Sequence, residues 1–319
     1  MIHPYDHENS FLYFFSASTS QEFLKKCYLK QNLEQAEQKS YENSYPFIYY
    51  LEHGQVYYQQ AEKAPLVIKP ILYFYGLVHL VKACILTVDP NYPETTSVLA
   101  HGVSTRKRKK QHYNFFQDEV KFQKSGLFPY MGEKLFHMKH LEGEKTTMGE
   151  LLSQIPELND LYNQTEGRTT YLEIEQDKDL FIFPKKILDT FHMTETRFVE
   201  YLQSKSDFNI KFKESDESVM NFMLKNINTY YFKPLRYSPD CRKFFFPPAK
   251  DELSDFPELL IHFLLLYNLS MIARYETEWW SELIKMMPNK DYPFIQTFLK
   301  ITATKGPYLI YQYLVDMKI

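Results

Sequence analysis

Two stretches constrain this chain most, "ILYFYGLVHLVKACILTV" at 71–88 and "LLIHFLLLYNLSMIA" at 259–273. Neither is stable facing water. The first carries His79 and Lys82 near its centre, and the second falls short of the ~20 apolar residues that a bilayer span needs. Both therefore read as buried core helices, and the simplest arrangement packs one against the other. The middle segment of the chain then becomes an insertion into a single helical core.

The flanking pattern agrees with this layout. "TSQEFLKKCYLKQN" (19–32) opens with capping candidates and spaces Phe23, Leu24, Cys27 and Leu29 at helical intervals. "SYPFIYYLEHGQVYYQQAEKA" (44–64) reads as a long aromatic-rich helix with Pro46 in its first turn, and "DPNYP" stops the apolar helix that follows. Residues 91–132 read as loop, and "TTMGELLSQIPELNDLY" as a short helix interrupted by Pro156. Strand candidates come next: "TTYLEIEQ" (169–176), "FNIKFK" (208–213), "TYYFKPLRY" (229–237) and "RKFFFPP" (242–248), with "ETRFVEYLQ" and "ESVMNFMLKN" as helices between them. From "DELSDFPELL" onward the pattern is helical. The fold class is mainly α with a small antiparallel β insertion (α+β). Residues 1–145 form a helical segment of the core, 146–250 a mixed α/β insertion, and 251–319 the helices that complete the core.

Composition removes several function classes. Only 9 of 319 residues are glycine, too few to favour a glycine-rich phosphate loop and with it a dinucleotide-binding or triphosphatase core. Cys27, Cys84 and Cys241 lie far apart without CxxC spacing, so neither a disulfide framework nor a structural zinc site is expected. The N-terminus lacks the features of a secretory signal, and the expectation is a soluble cytoplasmic protein without membrane contact. The 26 Tyr and 26 Phe mean that much of the core is ring surface, some of it carrying hydroxyls that need partners.

Polar residues on the two apolar helices fall on narrow faces. Tyr75, His79 and Lys82 are spaced i, i+4, i+7, and Tyr267, Ser270 and Arg274 i, i+3, i+7. One reading is a pocket between the helices that binds an anion through Lys82 and Arg274. The preferred reading is a hydrogen-bond network that fixes helix register, with Lys82 reaching outward to water. Glu276 and Glu278 are expected to pair with Arg274 at the surface. His137 and His140, with Glu142 and Glu144, have metal-ligand spacing but read as a surface turn. No HExxH, GxSxG, Walker loop or GxGxxG is present, and no cofactor or metal is expected.

The remaining feature is "HGVSTRKRKKQHYNFF", where Arg106, Lys107, Arg108, Lys109 and Lys110 are consecutive while the whole chain carries a net charge of −3. With no basic surplus elsewhere, a local site fits better than a nucleic-acid groove. Its occupant would be a phosphorylated ligand or an acidic partner, contacted also by His101 and Ser104.

Five blocks, "ILYFYGLVHLVKACIL", "HGVSTRKRK", "GLFPYMGEKL", "TTMGELLSQIPEL" and "LLIHFLLLYNLSMIARYETEWW", occur in an order that resembles the YaaC-like family of Bacillus and relatives. Their genes often lie near that for IMP dehydrogenase. The resemblance implies a bacterial cytosolic protein linked to purine nucleotide metabolism. It points to a non-enzymatic regulatory protein that binds an acidic partner, IMP dehydrogenase being the candidate, through the basic loop. The helical core is also similar to HEPN-type domains, whose ribonuclease motif is Arg, four to six intervening residues, then His. Arg106 and His112 have that spacing, which makes an RNA- or nucleotide-acting enzyme the alternative. A purine-nucleotide sensor using Lys82 and Arg274 is the third reading. Convergence of the 101–112 loop on Lys82 and Arg274 would favour a ligand site, whereas a loop splayed into solvent would favour a partner or a merely solvated basic run.

Overall fold

The computed structural model describes residues 4–6, 9–105, 114–205, 209–225, 234–252 and 256–318. The chain divides into two compact units. One runs from Ser153 to Glu258. The other joins Pro4–Leu152 to Leu259–Ile319, so the N- and C-terminal helical segments share one body. The unit boundaries thus fall at 153 and 258, where the sequence pattern placed them at 146 and 250.

The helical unit contains α1 (Ala17–Lys30), α2 (Ala36–Lys63), α3 (Lys69–Val88), α4 (Leu127–Phe136) and α5 (Met148–Ser153). It is completed by α9 (Glu258–Tyr275), α10 (Thr277–Met286) and α11 (Asp291–Lys318). Ser16 caps α1 by accepting the Thr19 amide at 3.4 Å, and α1 buries Phe23, Leu24, Cys27 and Tyr28. α3 is the core helix. It is the one described helix long and apolar enough to cross a bilayer, and 67% of that apolar window is buried. Tyr28 ties α1 to it by donating to the Leu86 carbonyl at 2.8 Å.

The two apolar helices do meet, but through side chains. Phe74 on α3 packs edge-on against Phe263 (5.4 Å between centroids) and Tyr267 (5.7 Å) on α9. The closest backbone approach to α3 is made by α2. A Cβ on Gly54 would lie 2.5 Å from Leu80, and one on Gly76 2.7 Å from the Tyr58 ring, so only glycine lets these helices close together. Pro46 lies inside α2 rather than in its first turn, because the helix starts a good two turns earlier, at Ala36.

Residues 91–132, read as loop, contain two strands of a small sheet. β1 (Val103–Thr105), β2 (Glu119–Phe122) and β3 (Lys145–Thr147) pair antiparallel in the order β1-β2-β3. Strands this short carry too few residues for an alternation to register in the sequence.

The other unit has helices α6 (Asn159–Glu166), α7 (Ile187–Phe191) and α8 (Glu195–Lys205). Its strands are β4 (Leu172–Asp177), β5 (Leu180–Pro184), β6 (Asn209–Ser215), β7 (Val219–Lys225), β8 (Arg236–Ser238) and β9 (Lys243–Phe246). They form an antiparallel sheet in the order β6-β7-β5-β4-β9-β8. Its buried face is aromatic: Phe183 packs against Phe222 (5.2 Å) and Phe246 (5.3 Å). "ESVMNFMLKN" is strand β7, not a helix. Asp216 Oδ1 accepts the amides of Ser218 (2.7 Å) and Val219 (2.9 Å), and this side-chain-capped turn sends the chain back alongside β6.

Candidate functional site

On the exposed side of the α2–α3 contact, polar and aromatic side chains form a groove. α3 presents Tyr75, His79 and Lys82, all half-buried. α2 presents Tyr57, His53 and Tyr50 opposite them, in reverse order because the helices run antiparallel. Tyr57 stacks on His79 (5.6 Å, 16° between planes) and lies 6.3 Å from Tyr75. His53 meets His79 edge-on at 5.3 Å. Tyr50 lies 6.1 Å from His79 and under the Lys82 ammonium at 5.7 Å.

α9 closes the Tyr75 end. Arg274 donates from Nη1 to the Tyr75 hydroxyl at 3.1 Å and from Nε to the Ser270 carbonyl at 3.1 Å, with its guanidinium 5.8 Å from the Tyr75 ring. His101 enters from the segment before β1. Its ring lies 4.9 Å from Phe74, 5.7 Å from Tyr267 and 6.2 Å from Tyr75. The backbone holds it there. The first amides of α4 donate to that segment, Leu127 to the Ala100 carbonyl (2.7 Å) and Phe128 to the His101 carbonyl (3.0 Å). Gly102 (φ +77°) and Gly126 (φ +124°) allow this crossing, since a Cβ on Gly126 would collide with the Gly102 backbone.

The electrostatics are one-sided. Burial lowers the His79 pKa to about 4, and Lys82 and His53 push the same way. Burial also lowers His101, reinforced by Arg274 and then Lys82, so both cations act on this one ring. Lys82 is itself lowered by burial. Among the described residues neither Lys82 nor Arg274 has a carboxylate partner, and the buried His79 Nδ1 has no hydrogen-bond partner. A half-buried pair of cations beside neutral imidazoles is an arrangement that an incoming anion would stabilise.

Several sequence expectations need correction. Ser270 is fully buried and donates back to the Tyr267 carbonyl at 2.8 Å, so its hydroxyl is spent within α9. Tyr267 is 5% exposed and contributes its ring to the wall beneath His101. Arg274 does not pair with Glu276 or Glu278. α9 ends at Tyr275, Glu276 is non-helical (φ −117°, ψ 48°), and the chain turns away before α10. The register network holds for the Arg274–Tyr75 bond between α9 and α3, while Lys82 and His79 take no part in it.

Ser104, on β1, accepts from Gln123 Nε2 at 2.6 Å. Arg106, Lys107, Arg108, Lys109, Lys110 and His112 lie outside the described residues. His137 closes α4 in the left-handed conformation (φ 55°), and among the described residues no group of three His, Cys, Asp or Glu is arranged to hold a metal. The α2 members of the groove were not singled out from sequence. Their signal was the i, i+3, i+7 spacing of Tyr50, His53 and Tyr57, masked by the surrounding tyrosines.

These features define a predominantly helical protein whose chain is interrupted between the two halves of the helical unit by an α/β unit with an antiparallel sheet, and whose helical unit carries a cationic, aromatic side-chain cluster. The chain matches the family model described as YaaC-like protein over residues 12–314, nearly its whole length, and it belongs to that family. No curated protein and no solved structure matches it.

Proposed function

We propose that this YaaC-like protein is a cytoplasmic, non-enzymatic ligand-binding regulator whose groove takes a phosphorylated small molecule carrying a planar ring, a purine nucleotide being the class that fits. One observation carries the reading: Lys82 and Arg274 both bear on His101 without any carboxylate among the described residues to balance them. The cations supply attraction for phosphate, and Tyr50, Tyr57, Tyr75 and the imidazoles supply faces for a base to stack on. Tyr75 and Lys82 are two turns apart, about 10 Å along the helix, a span that lets a nucleotide touch both ends.

Thermal unfolding with purine mononucleotides, the matching nucleosides and inorganic phosphate tests this. A nucleotide at 100 times its dissociation constant adds about 2.7 kcal/mol and raises the transition by a few degrees, and neither half alone does as well. If no purine nucleotide shifts the transition at millimolar concentration, the reading fails.

The basic run supports a second, compatible reading. Arg106–Lys110 follow directly after β1 in sequence, and His101, two residues before β1, lies in the groove wall, so an acidic partner, IMP dehydrogenase by family resemblance, would dock on a run close in sequence to the ligand site. Charge reversal at Arg106 and Arg108 should remove such a partner from low-salt pull-downs. Unchanged partners would exclude the loop as interface.

A further inference from the structure

A second cavity lies on a different face of α3, where the ends of α2 and α3 meet α11. Its volume is about 420 Å³, within the roughly 300–1,000 Å³ of small-molecule sites. Glu62 from the end of α2, Lys69 and Tyr73 from the start of α3, and Leu299, Lys300 and Ala303 from α11 line it. Tyr73 is two residues from Tyr75, about 200° around the helix, so this cavity and the cationic groove open on separate faces.

Its polar groups are arranged around an apolar floor. Tyr73 is 2% exposed, held by the Tyr58 ring at 5.2 Å, yet its hydroxyl has no hydrogen-bond partner among the described residues. Burial, with the Glu62 carboxylate nearby, raises this phenol to about 12, so at neutral pH it is a donor. Lys69 spends one donor on the Glu62 carbonyl at 3.2 Å, which fixes the ammonium at the rim and leaves its other two protons for a ligand. Lys300 is exposed and has no ion-pair partner among the described residues. Among the described residues that line the cavity, two lysines stand against one glutamate, an excess of positive charge. A monoanion balances it, whereas a phosphate dianion would be repelled by Glu62 in its second charge.

We propose that this cavity is a binding site for a small organic monocarboxylate, its acid group between Lys69, Lys300 and the Tyr73 hydroxyl and its apolar body on Leu299 and Ala303. The proposal is independent of the nucleotide reading, since it uses none of the same side chains.

The test is titration of the full chain with 4-phenylbutyrate, followed by ligand-observed NMR, with 4-phenylbutan-1-ol as the uncharged counterpart. The carboxylate should bind at least tenfold more tightly than the alcohol. Tyr73→Phe, which removes only the hydroxyl, and Lys300→Glu, at an exposed position, should each weaken the carboxylate about tenfold, as loss of a hydrogen bond or ion pair to a charged group does. Both should leave the alcohol unchanged. Ala303→Trp fills the cavity and should abolish binding of either compound. Equal affinity for acid and alcohol, no binding of 4-phenylbutyrate, or full binding to a folded Ala303→Trp protein would each overturn the assignment.

Discussion

Gly76 couples the packing of the core to the shape of the groove. A methyl group there would lie 2.7 Å from the Tyr58 ring and 3.1 Å from Tyr57 Cβ, and neither neighbour has room to retreat without moving α2. Gly76→Ala should therefore cost about 1–3 kcal/mol in urea unfolding, the range for overpacked cores. It should also weaken nucleotide binding, because Tyr57 carries the ring that stacks on His79. A stable variant would mean that the helices separate more easily than their contacts imply. Lys82 is the opposite case. It is a half-buried cation whose contact among the described residues is the Tyr50 ring, and burial already disfavours its charge. Lys82→Met keeps most of the stem and removes the charge. Its melting temperature should be equal or higher, while nucleotide affinity falls at least tenfold. A clear loss of stability would identify a structural partner for Lys82 and count against the groove as a ligand site.

At the scale of elements, β7 shows where a local pattern misleads. Val219, Met220, Met223 and Leu224 fit a helical stripe, and Met and Leu are good helix formers. Tertiary pairing overrides that preference: Met220, Phe222 and Leu224 are 0–1% exposed on one face of a strand hydrogen-bonded to β5 and β6. Phe222 packs against Phe183 and Phe212, so Phe222→Ala should cost about 3–5 kcal/mol. Amide exchange in β5 and β6 should accelerate accordingly, and unchanged protection there would place Phe222 outside the core. The long apolar helices were legible because burial of such segments is forced by their own composition, and β4 and β6 of the α/β unit because they alternate, whereas β5 and β7 were not. The three-residue strands were not, since nothing so short has a period. For the groove, α3 and α9 announced themselves by polar residues on greasy helices. Tyr50, His53 and Tyr57 did not, because α2 is rich in tyrosine throughout and one stripe does not stand out. The acid pairing expected of Arg274 failed for a backbone reason, the end of α9 at Tyr275, which residue spacing does not encode.

For the whole molecule, the proposed ligand site would link proton binding to ligand binding. His79 titrates near 4 in the folded chain, and His101 is lowered too, against about 6.5 for a free histidine. Below about pH 6.5 the unfolded chain binds more protons than the folded one, so both residues favour folding fully above about pH 6.5 and less below it, His79 losing its share progressively toward pH 4. Asp316 on α11, raised to about 6 by burial, works in the other direction, gaining stability as the pH falls through 6. Ligand binding isolates the groove from this offset. Among the described residues the cations bearing on the two imidazoles are Lys82 on α3 and Arg274 on α9, and the other titratable neighbours are His53, Tyr50 and Tyr57 on α2, Tyr75 on α3 and Tyr267 on α9, with no carboxylate among them. A phosphate bound there as proposed would offset the field of the two cations, raise both imidazole pKa values and make binding take up protons. Nucleotide affinity should then increase as the pH is lowered from 7.5 to 5.5, and calorimetry in two buffers of different ionisation enthalpy should register net proton uptake. The ligand's phosphate also titrates, near pH 6, so the decisive quantity is the difference from His79→Gln and His101→Gln, which should lose the protein's share. Identical proton uptake by parent and variants would remove the histidines from the site and leave Lys82 and Arg274 to act alone.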